Sequence, residues 1–147
     1  MKYIKTIFLC GLIAGALDGT AAILFYAKPV NLHNISLIFR YIASGFFGKT
    51  AYETGPFYPF MGLVLHFGIA TIWSAIYIFF FFRVFKPGGV WAKAILLAAL
   101  VWICMNGLVM PLAGFTAKYT GWAILRSYGI LLFCVGLPVS LIVEKRH

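Results

Sequence analysis

The fold is decided by residues 59–82, which read PFMGLVLHFGIATIWSAIYIFFFF. This stretch contains no Asp, Glu, Lys or Arg, and it exceeds the roughly 20 apolar residues with which an α-helix crosses a bilayer. A strand of an outer-membrane barrel would instead alternate apolar and polar residues over about 10 positions. The stretch therefore predicts a transmembrane helix.

Three further apolar runs of similar length lie at residues 5–27, 91–110 and 122–143. The whole chain of 147 residues is 63% hydrophobic and 10% charged, whereas a globular domain has about 25% charged residues. A soluble fold of this size could not bury so much apolar surface. The sequence therefore predicts an all-α, polytopic membrane protein that forms a single domain of four transmembrane helices.

The first run admits a second interpretation as a secretory signal. Lys2 and Lys5 precede it, and Ala14-Gly15-Ala16 would suit a cleavage site. However, the apolar run continues to Ala27, well past the roughly 7–15 residues of a signal core. A retained membrane anchor is therefore the preferred interpretation.

The basic residues predict the orientation, because they concentrate in short cytoplasmic loops. Those in short stretches on one side are Lys2, Lys5, Arg83, Lys86, Lys93, Lys145 and Arg146. Those spread over longer segments on the other side are Lys28, Arg40, Lys49, Lys118 and Arg126. We therefore expect cytoplasmic N- and C-termini in a bacterial inner (plasma) membrane. Topology and attraction to anionic membrane lipids explain the net charge of +9 without nucleic acid.

The first helix carries small residues at four-residue spacing, Gly11, Gly15 and Gly19, which fall on one narrow stripe. Small residues let two helix backbones approach closely in lipid. We expect this face to pack on another helix, either within the bundle or in a dimer. Asp18 lies on the same stripe, and a carboxyl group within a span usually faces protein or water.

The segment between the first two spans contains a predicted amphipathic helix at residues 35–47. Ser36, Arg40 and Ser44 recur every fourth position, and apolar residues occupy the opposite arc. Such a helix either lies in the membrane interface or forms a re-entrant segment that covers the mouth of the bundle. The sequence leaves both arrangements open.

Four polar residues within the spans fall at similar depths. With a rise of about 1.5 Å per residue, Asp18 lies roughly 13 Å, His66 roughly 10 Å, and Asn106 and Arg126 roughly 6 Å below the outer ends of their helices. If their stripes converge, they form a polar pocket that opens outward. The alternative is a purely structural role, with an Asp18–Arg126 ion pair and with His66 and Asn106 in interhelical hydrogen bonds.

No residue pattern predicts a catalytic site, a metal site or a cofactor. His66 is the only base predicted inside a span, and no nucleophile stands at triad spacing from it. Cys10, Cys104 and Cys134 lack metal-ligand spacing and are interpreted as small buried apolar residues without a disulfide. The sequence therefore gives no indication of an enzyme.

Several short motifs resemble a family of small uncharacterised bacterial inner-membrane proteins. They are Gly15-Ala16-Leu17-Asp18, Arg40-Tyr41-Ile42-Ala43-Ser44-Gly45 with Gly48, Gly62 with His66, Met105-Asn106 and Pro111-Leu112. Together they extend over most of the chain. The resemblance implies a four-helix inner-membrane protein and implies no established activity.

Two functional hypotheses follow from these patterns. In the first, the polar pocket binds a small solute, a proton or a cation, as part of a transporter or sensor. In the second, the protein has a structural or assembly role and associates through the glycine face of its first helix, with itself or with a larger membrane complex. The polar residues within the spans support the first hypothesis, and the glycine stripe of the first helix supports the second.

Overall fold

A computed structural model of the chain describes residues 2–82, 88–114 and 120–146. These residues form helices and turns, with no strand among them. The α-helices are α1 (Lys2–Tyr26), α2 (Leu32–Phe47), α3 (Phe57–Ile76), α4 (Val90–Cys104), α5 (Met110–Leu112), α6 (Gly121–Leu131) and α7 (Leu137–Arg146). A short 3₁₀ helix, Gly48–Tyr52, follows α2.

Four continuous helical segments are long and apolar enough to cross a membrane. They are Tyr3–Tyr26, Phe57–Phe82, Val90–Leu112 and Gly121–Arg146, referred to below as the first to fourth spans. The predicted all-α, four-span fold is confirmed, and the protein is a multi-pass membrane protein. The predicted boundaries differ from those observed by a few residues, because helices continue past the apolar runs into the flanking turns.

The first span packs along α3 through its glycine stripe. A Cβ atom at Gly11 would overlap Thr71, and one at Gly15 would lie 2.7 Å from the Phe67 ring. The glycines therefore bring the two backbones close together within one chain, as small residues do between membrane helices. The predicted packing face exists, and the second span of the same chain covers it.

The end of the bundle where both chain termini lie, called here the termini end, contains the packed core. Its buried apolar residues are Ile7, Cys10, Ala14, Tyr77, Ile78, Phe81, Leu97, Val101, Val135, Val139 and Val143. Lys93 is only 6% exposed there and forms an ion pair with Glu144 of the fourth span. From the sequence, Lys93 was counted only among the basic residues that predict the orientation, and the antiparallel third and fourth spans pair it with Glu144.

Three spans contain π-helical segments, which the sequence analysis did not predict. They cover Tyr77–Phe82, Met105–Val109 and Leu132–Gly136. The last two end just before Pro111 and Pro138, and a proline has no N–H to donate to the carbonyl four residues earlier. The third span nevertheless continues through Pro111 to Leu112, so that this proline lies within the final turn instead of ending the helix.

Helix α2 lies against α3 at the opposite end of the bundle, called here the α2 end. Gly62 of α3 is so close to α2 that a Cβ atom there would overlap the Phe39 carbonyl. The ring of Phe47 packs edge-on against those of Phe57 and Tyr58, at 6.3 and 5.6 Å between centroids. The Asn31 side chain caps α2 by accepting from the Asn34 N–H at 2.8 Å.

The polar stripe of α2 binds protein groups. Arg40 donates to Ser36 Oγ at 3.1 Å, to the Ala51 carbonyl at 3.0 Å and to the Gly55 carbonyl at 2.5 Å. Ser44 is 4% exposed and donates to the Tyr41 carbonyl. Arg40 therefore fastens α2 to the segment that follows it, whereas the bonds of Ser36 and Ser44 lie within α2.

Candidate functional site

A cavity of about 260 Å³ lies between the four spans at the α2 end. Its polar lining residues are Asp18, His66, Asn106 and Ser127. Tyr26 and Trp73 contribute aromatic walls, and aliphatic side chains complete the lining. The cavity is therefore mostly apolar with a few polar groups directed into it, which is the usual composition of a small-molecule site.

Three of the four residues predicted to form a polar pocket line this one cavity. Asp18 enters from the first span, His66 from the second and Asn106 from the third. The fourth, Arg126, does not belong to the lining. Its guanidinium lies over the ring of Tyr26, 5.1 Å from the ring centroid, and its buried Nε has no hydrogen-bond partner. Arg126 is thus a neighbour of the cavity through Tyr26.

The Asp18 carboxylate has no ion-pair partner among the described residues. Among the described residues, no nitrogen of a Lys, Arg or His side chain lies within 4.0 Å of its carboxylate, so the ion pair with Arg126 considered from the sequence is not formed. An acidic group in a membrane span without a cation is costly and typically marks a functional position.

His66 reaches across to the first span. Its Nε2 lies 2.8 Å from the Gly15 carbonyl oxygen, and because a carbonyl only accepts, Nε2 is the donor and carries a proton. A Cβ atom at Gly19 would lie 3.2 Å from the same nitrogen. The glycine stripe therefore also leaves space for the His66 imidazole. Nδ1 is left as the second ring nitrogen that can exchange a proton.

Hydrogen bonds hold the opposite wall of the cavity. Trp102 Nε1 donates to Ser127 Oγ at 2.8 Å and so joins the third and fourth spans. Asn106 Nδ2 donates to the Trp102 carbonyl at 3.0 Å. Both bonds lie beside the Met105–Val109 π-helix, and π-helical turns occur frequently at functional sites. These bonds hold the wall that the third and fourth spans form, and the third span departs from a regular α-helix beside them.

Tyr26, Trp73 and Ser127 are lining residues that the sequence analysis did not include in the pocket. Trp73 stands two helical turns after His66 and therefore lies on the same side of the second span. Ser127, Leu131 and Val135 follow one another at four-residue spacing, so the helical period contained a signal for this face. Nothing in the local sequence of Tyr26 distinguishes it from an ordinary interfacial aromatic residue.

The donor set fits an organic ligand better than a metal ion. Among the described residues, no group of three or more His, Cys, Asp and Glu side chains could hold a metal. The cavity instead combines one carboxylate with the aromatic side chains of Tyr26 and Trp73. Aromatic faces and a carboxylate together attract an ammonium group.

The chain was compared with protein-family models, with curated proteins and with solved structures. None of these three comparisons finds a match. The function is therefore inferred from the cavity and its residues.

Proposed function

We propose that this membrane protein binds a small organic cation in the cavity between its four spans, as the binding component of a transporter or a sensor. The observation that supports the proposal is Asp18, which lines the cavity with no cationic side chain within 4.0 Å among the described residues. A bound ammonium would supply the missing positive charge. Trp73 and Tyr26 would contact its methyl or methylene groups.

His66 supports a role that involves proton transfer as well as charge. It lines the same cavity, one of its nitrogens is already occupied by Gly15, and the other is available. Histidine is the side chain whose ordinary pKa lies nearest neutrality, and acidic residues with histidines form proton relays in membrane transporters. Binding of a cation at Asp18 would therefore be sensitive to the protonation of His66.

The packed core favours a binding component over an open pore. At the termini end, side chains such as Tyr77, Leu97 and Val139 are fully buried and fill the space between the spans. The cavity thus has no wide continuation through this end of the bundle. A transport role would require a change of conformation or a partner, which could be a second copy of the chain.

The basic residues support an orientation for this site. By the positive-inside rule, the termini lie in the cytoplasm of a bacterial cell and the cavity lies in the outer half of the inner membrane. Lys145 and Arg146 at the end of α7 belong to this cytoplasmic set. Under this orientation the ligand comes from outside the cell or from the outer leaflet.

The assembly hypothesis has less support than cation binding. It requires the stripe of Gly11, Gly15 and Gly19 to bind another molecule, but Thr71, Phe67 and His66 of the second span cover that stripe. A partner would first have to displace the second span. We therefore expect Gly15→Leu to destabilise the monomer itself, and any homo-oligomer to form through another face.

Thermal unfolding of the purified protein tests the proposal. The wild type is compared in tetramethylammonium chloride and in sodium chloride of equal ionic strength, together with Asp18→Asn. A ligand at a hundredfold excess over its dissociation constant stabilises the native state by about 2.7 kcal/mol. We expect tetramethylammonium to raise the unfolding temperature of the wild type and to have no such effect on Asp18→Asn.

Glu53→Gln is the matched control, because it removes one of the three acidic groups from an exposed position outside the cavity. It should respond to tetramethylammonium as the wild type does. No stabilisation of the wild type, or equal stabilisation of Asp18→Asn, would refute cation binding at this site. A response of the wild type to pH alone, absent in Asp18→Asn, would identify the ligand as a proton and also refute the organic-cation proposal.

A further inference from the structure

A second cavity of about 320 Å³ lies beside the first, between α2 and the end of the third span. Its walls come from Tyr41, Ile42, Gly45 and Phe46 of α2 and from the residues of the third span near Val109. Apart from the Tyr41 hydroxyl, these side chains are apolar. We call this second cavity the lateral groove.

Three residues belong to both cavities. Ile42 of α2, Ile69 of α3 and Met105 of the third span line the lateral groove and also the central cavity that contains Asp18. The two spaces are therefore separated by the thickness of these side chains. Methionine and isoleucine side chains can change rotamer, and methionine is especially adaptable. A small movement of the three would join the groove to the cavity.

The seam between α2 and the third span is loosely closed. Helix α2 packs mainly on α3. Across the seam, Tyr41 donates a hydrogen bond to Met110 Sδ at 3.7 Å, and Gly45 faces Ala113 with room for a Cβ atom at 3.9 Å. The seam lies next to the π-helical part of the third span, whose backbone is irregular. The seam is therefore where we expect the bundle to open toward lipid.

We expect the groove to face lipid rather than water. Its wall residues Phe46 and Leu112 are 73% and 79% exposed, and Leu112 ends a helical segment that is long and apolar enough to cross a membrane. In a bilayer such side chains contact acyl chains. An occupant of the groove is therefore an apolar chain that comes from the membrane.

Charge also favours this route for a cation. On the side of the cavity formed by Tyr26, the guanidinium of Arg126 lies over the ring, and a positively charged ligand would pass it at the cost of like-charge repulsion. Among the described residues, no charged side chain lines the lateral groove. A cation attached to an alkyl chain would meet no such barrier there.

We infer that the ligand is an amphiphilic cation, with its ammonium head in the central cavity near Asp18 and its alkyl chain in the lateral groove. This inference rests on the proposed function, because it takes cation binding at Asp18 as its starting point. It adds the substrate class, which is a single-chain alkylammonium compound, and the route of entry, which is from the lipid between α2 and the third span. With both cavities filled, the site falls within the roughly 300–1,000 Å³ of typical small-molecule sites.

Binding of an alkyl series tests the inference on the full chain in lipid nanodiscs. The probes are tetramethylammonium, butyltrimethylammonium and octyltrimethylammonium, with free concentrations corrected by dialysis against empty nanodiscs. The variant Gly45→Leu fills the groove from α2, where a side chain has room. Gly68→Leu is the matched control, because Gly68 lies outside both cavities and nothing lies within 4 Å of its Cβ position.

We expect affinity for the wild type to increase along the series. Gly45→Leu should leave tetramethylammonium binding within twofold of wild type and weaken octyltrimethylammonium binding at least tenfold, and Gly68→Leu should alter neither. A second groove-filling variant on the opposite wall, Val109→Phe, should reproduce the selective loss if Gly45→Leu fails to fold.

The outcomes separate the two proposals. If tetramethylammonium does not bind the wild type, the proposed function itself is wrong. If tetramethylammonium binds but both groove-filling variants show the same chain-length dependence as the wild type, cation binding stands and the lateral groove has no part in it. An equal loss for all probes in the groove-filling variants would also overturn the inference, because it would indicate general disturbance of the cavity.

Discussion

The two ends of the bundle are built differently from equally apolar helices. At the termini end, side chains such as Tyr77, Leu97 and Val139 are fully buried. Lys93 and Glu144 form the one ion pair found among the described residues. At the α2 end, one cavity lies between the four spans and a second lies beside α2, and Asp18 has no cationic partner within 4.0 Å among the described residues. The termini end is therefore closely packed, and the α2 end contains the space in which we propose that a ligand binds.

The difference between the two ends shows that burial of apolar surface does not by itself determine where a membrane protein forms a cavity. Lipid solvates apolar side chains as well as a protein core does, so association of the spans depends on close packing of small residues. Where those contacts are continuous the bundle is closed. Where an additional helix, α2, is inserted beside α3, the third span is held away and space remains.

The largest effect should come from adding a methyl group where two backbones touch at the termini end. In Gly136→Ala the new Cβ would lie 2.5 Å from the Ala94 carbonyl oxygen, and a backbone atom cannot move away as a flexible side chain can. We expect a loss of about 1–3 kcal/mol in the free energy of unfolding, measured by titration from mild into denaturing detergent.

The corresponding change at the α2 end, Gly62→Ala, should have a local result. The new Cβ would overlap the Phe39 carbonyl and push α2 away from α3. Hydrogen exchange of residues 32–47 should accelerate, while exchange in the core at the termini end stays slow. Gly68→Ala, with open space at its Cβ position, is the control for both variants. Global unfolding by Gly62→Ala would show that the two ends are not independent.

An intermediate effect is expected from Glu144→Gln. Removal of one partner from a fully buried ion pair costs about 3–5 kcal/mol, and because the Glu144 side chain is 32% exposed we expect about 2 kcal/mol. The double variant Lys93→Met with Glu144→Gln should recover most of this loss, since no unpaired charge is left. Denaturing-detergent titration of the wild type, Lys93→Met, Glu144→Gln and the double variant completes the cycle. Equal stability of Glu144→Gln and wild type would mean that Lys93 finds another partner.

The smallest effect on stability, with opposite sign, is expected from Asp18→Asn without ligand. The substitution keeps the shape of the side chain and removes an ionisable group that has no cationic partner among the described residues. We expect a gain of about 0.5–2 kcal/mol, because binding sites often keep groups that disfavour the folded state. The same titration measures it. A clear loss of stability would instead assign Asp18 to the structural framework.

Helical periodicity relates some of the residues that line the cavity at the α2 end. His66, Ala70 and Trp73 share one arc of an ideal helix, and the structure places all three around the cavity. Depth below the helix end, rather than periodicity, placed Arg126 in the predicted pocket. Depth does not determine rotation about the helix axis, and Ser127 lines the cavity in its place.

The role of α2 shows the complementary limit. Its period correctly predicted a helix with Ser36, Arg40 and Ser44 on one side. However, the pattern cannot distinguish carbonyl groups of the protein from water as partners for that side. In the structure the Arg40 guanidinium meets the carbonyls of residues 51–55, because the chain turns back immediately after α2.

By itself the sequence determined that this protein is a bundle of four membrane-spanning helices, because each long apolar run must satisfy its backbone hydrogen bonds internally. It also predicted that Gly11, Gly15 and Gly19 share one packing face, whereas the close approaches at Gly62 and Gly136 emerged only in the structure. Only the tertiary structure decided that the glycine face is covered by α3, that Asp18 and His66 share a cavity while Lys93 pairs with Glu144, and that a groove opens beside α2. These features depend on the rotation and spacing of neighbouring helices, which long-range packing sets and local sequence does not specify.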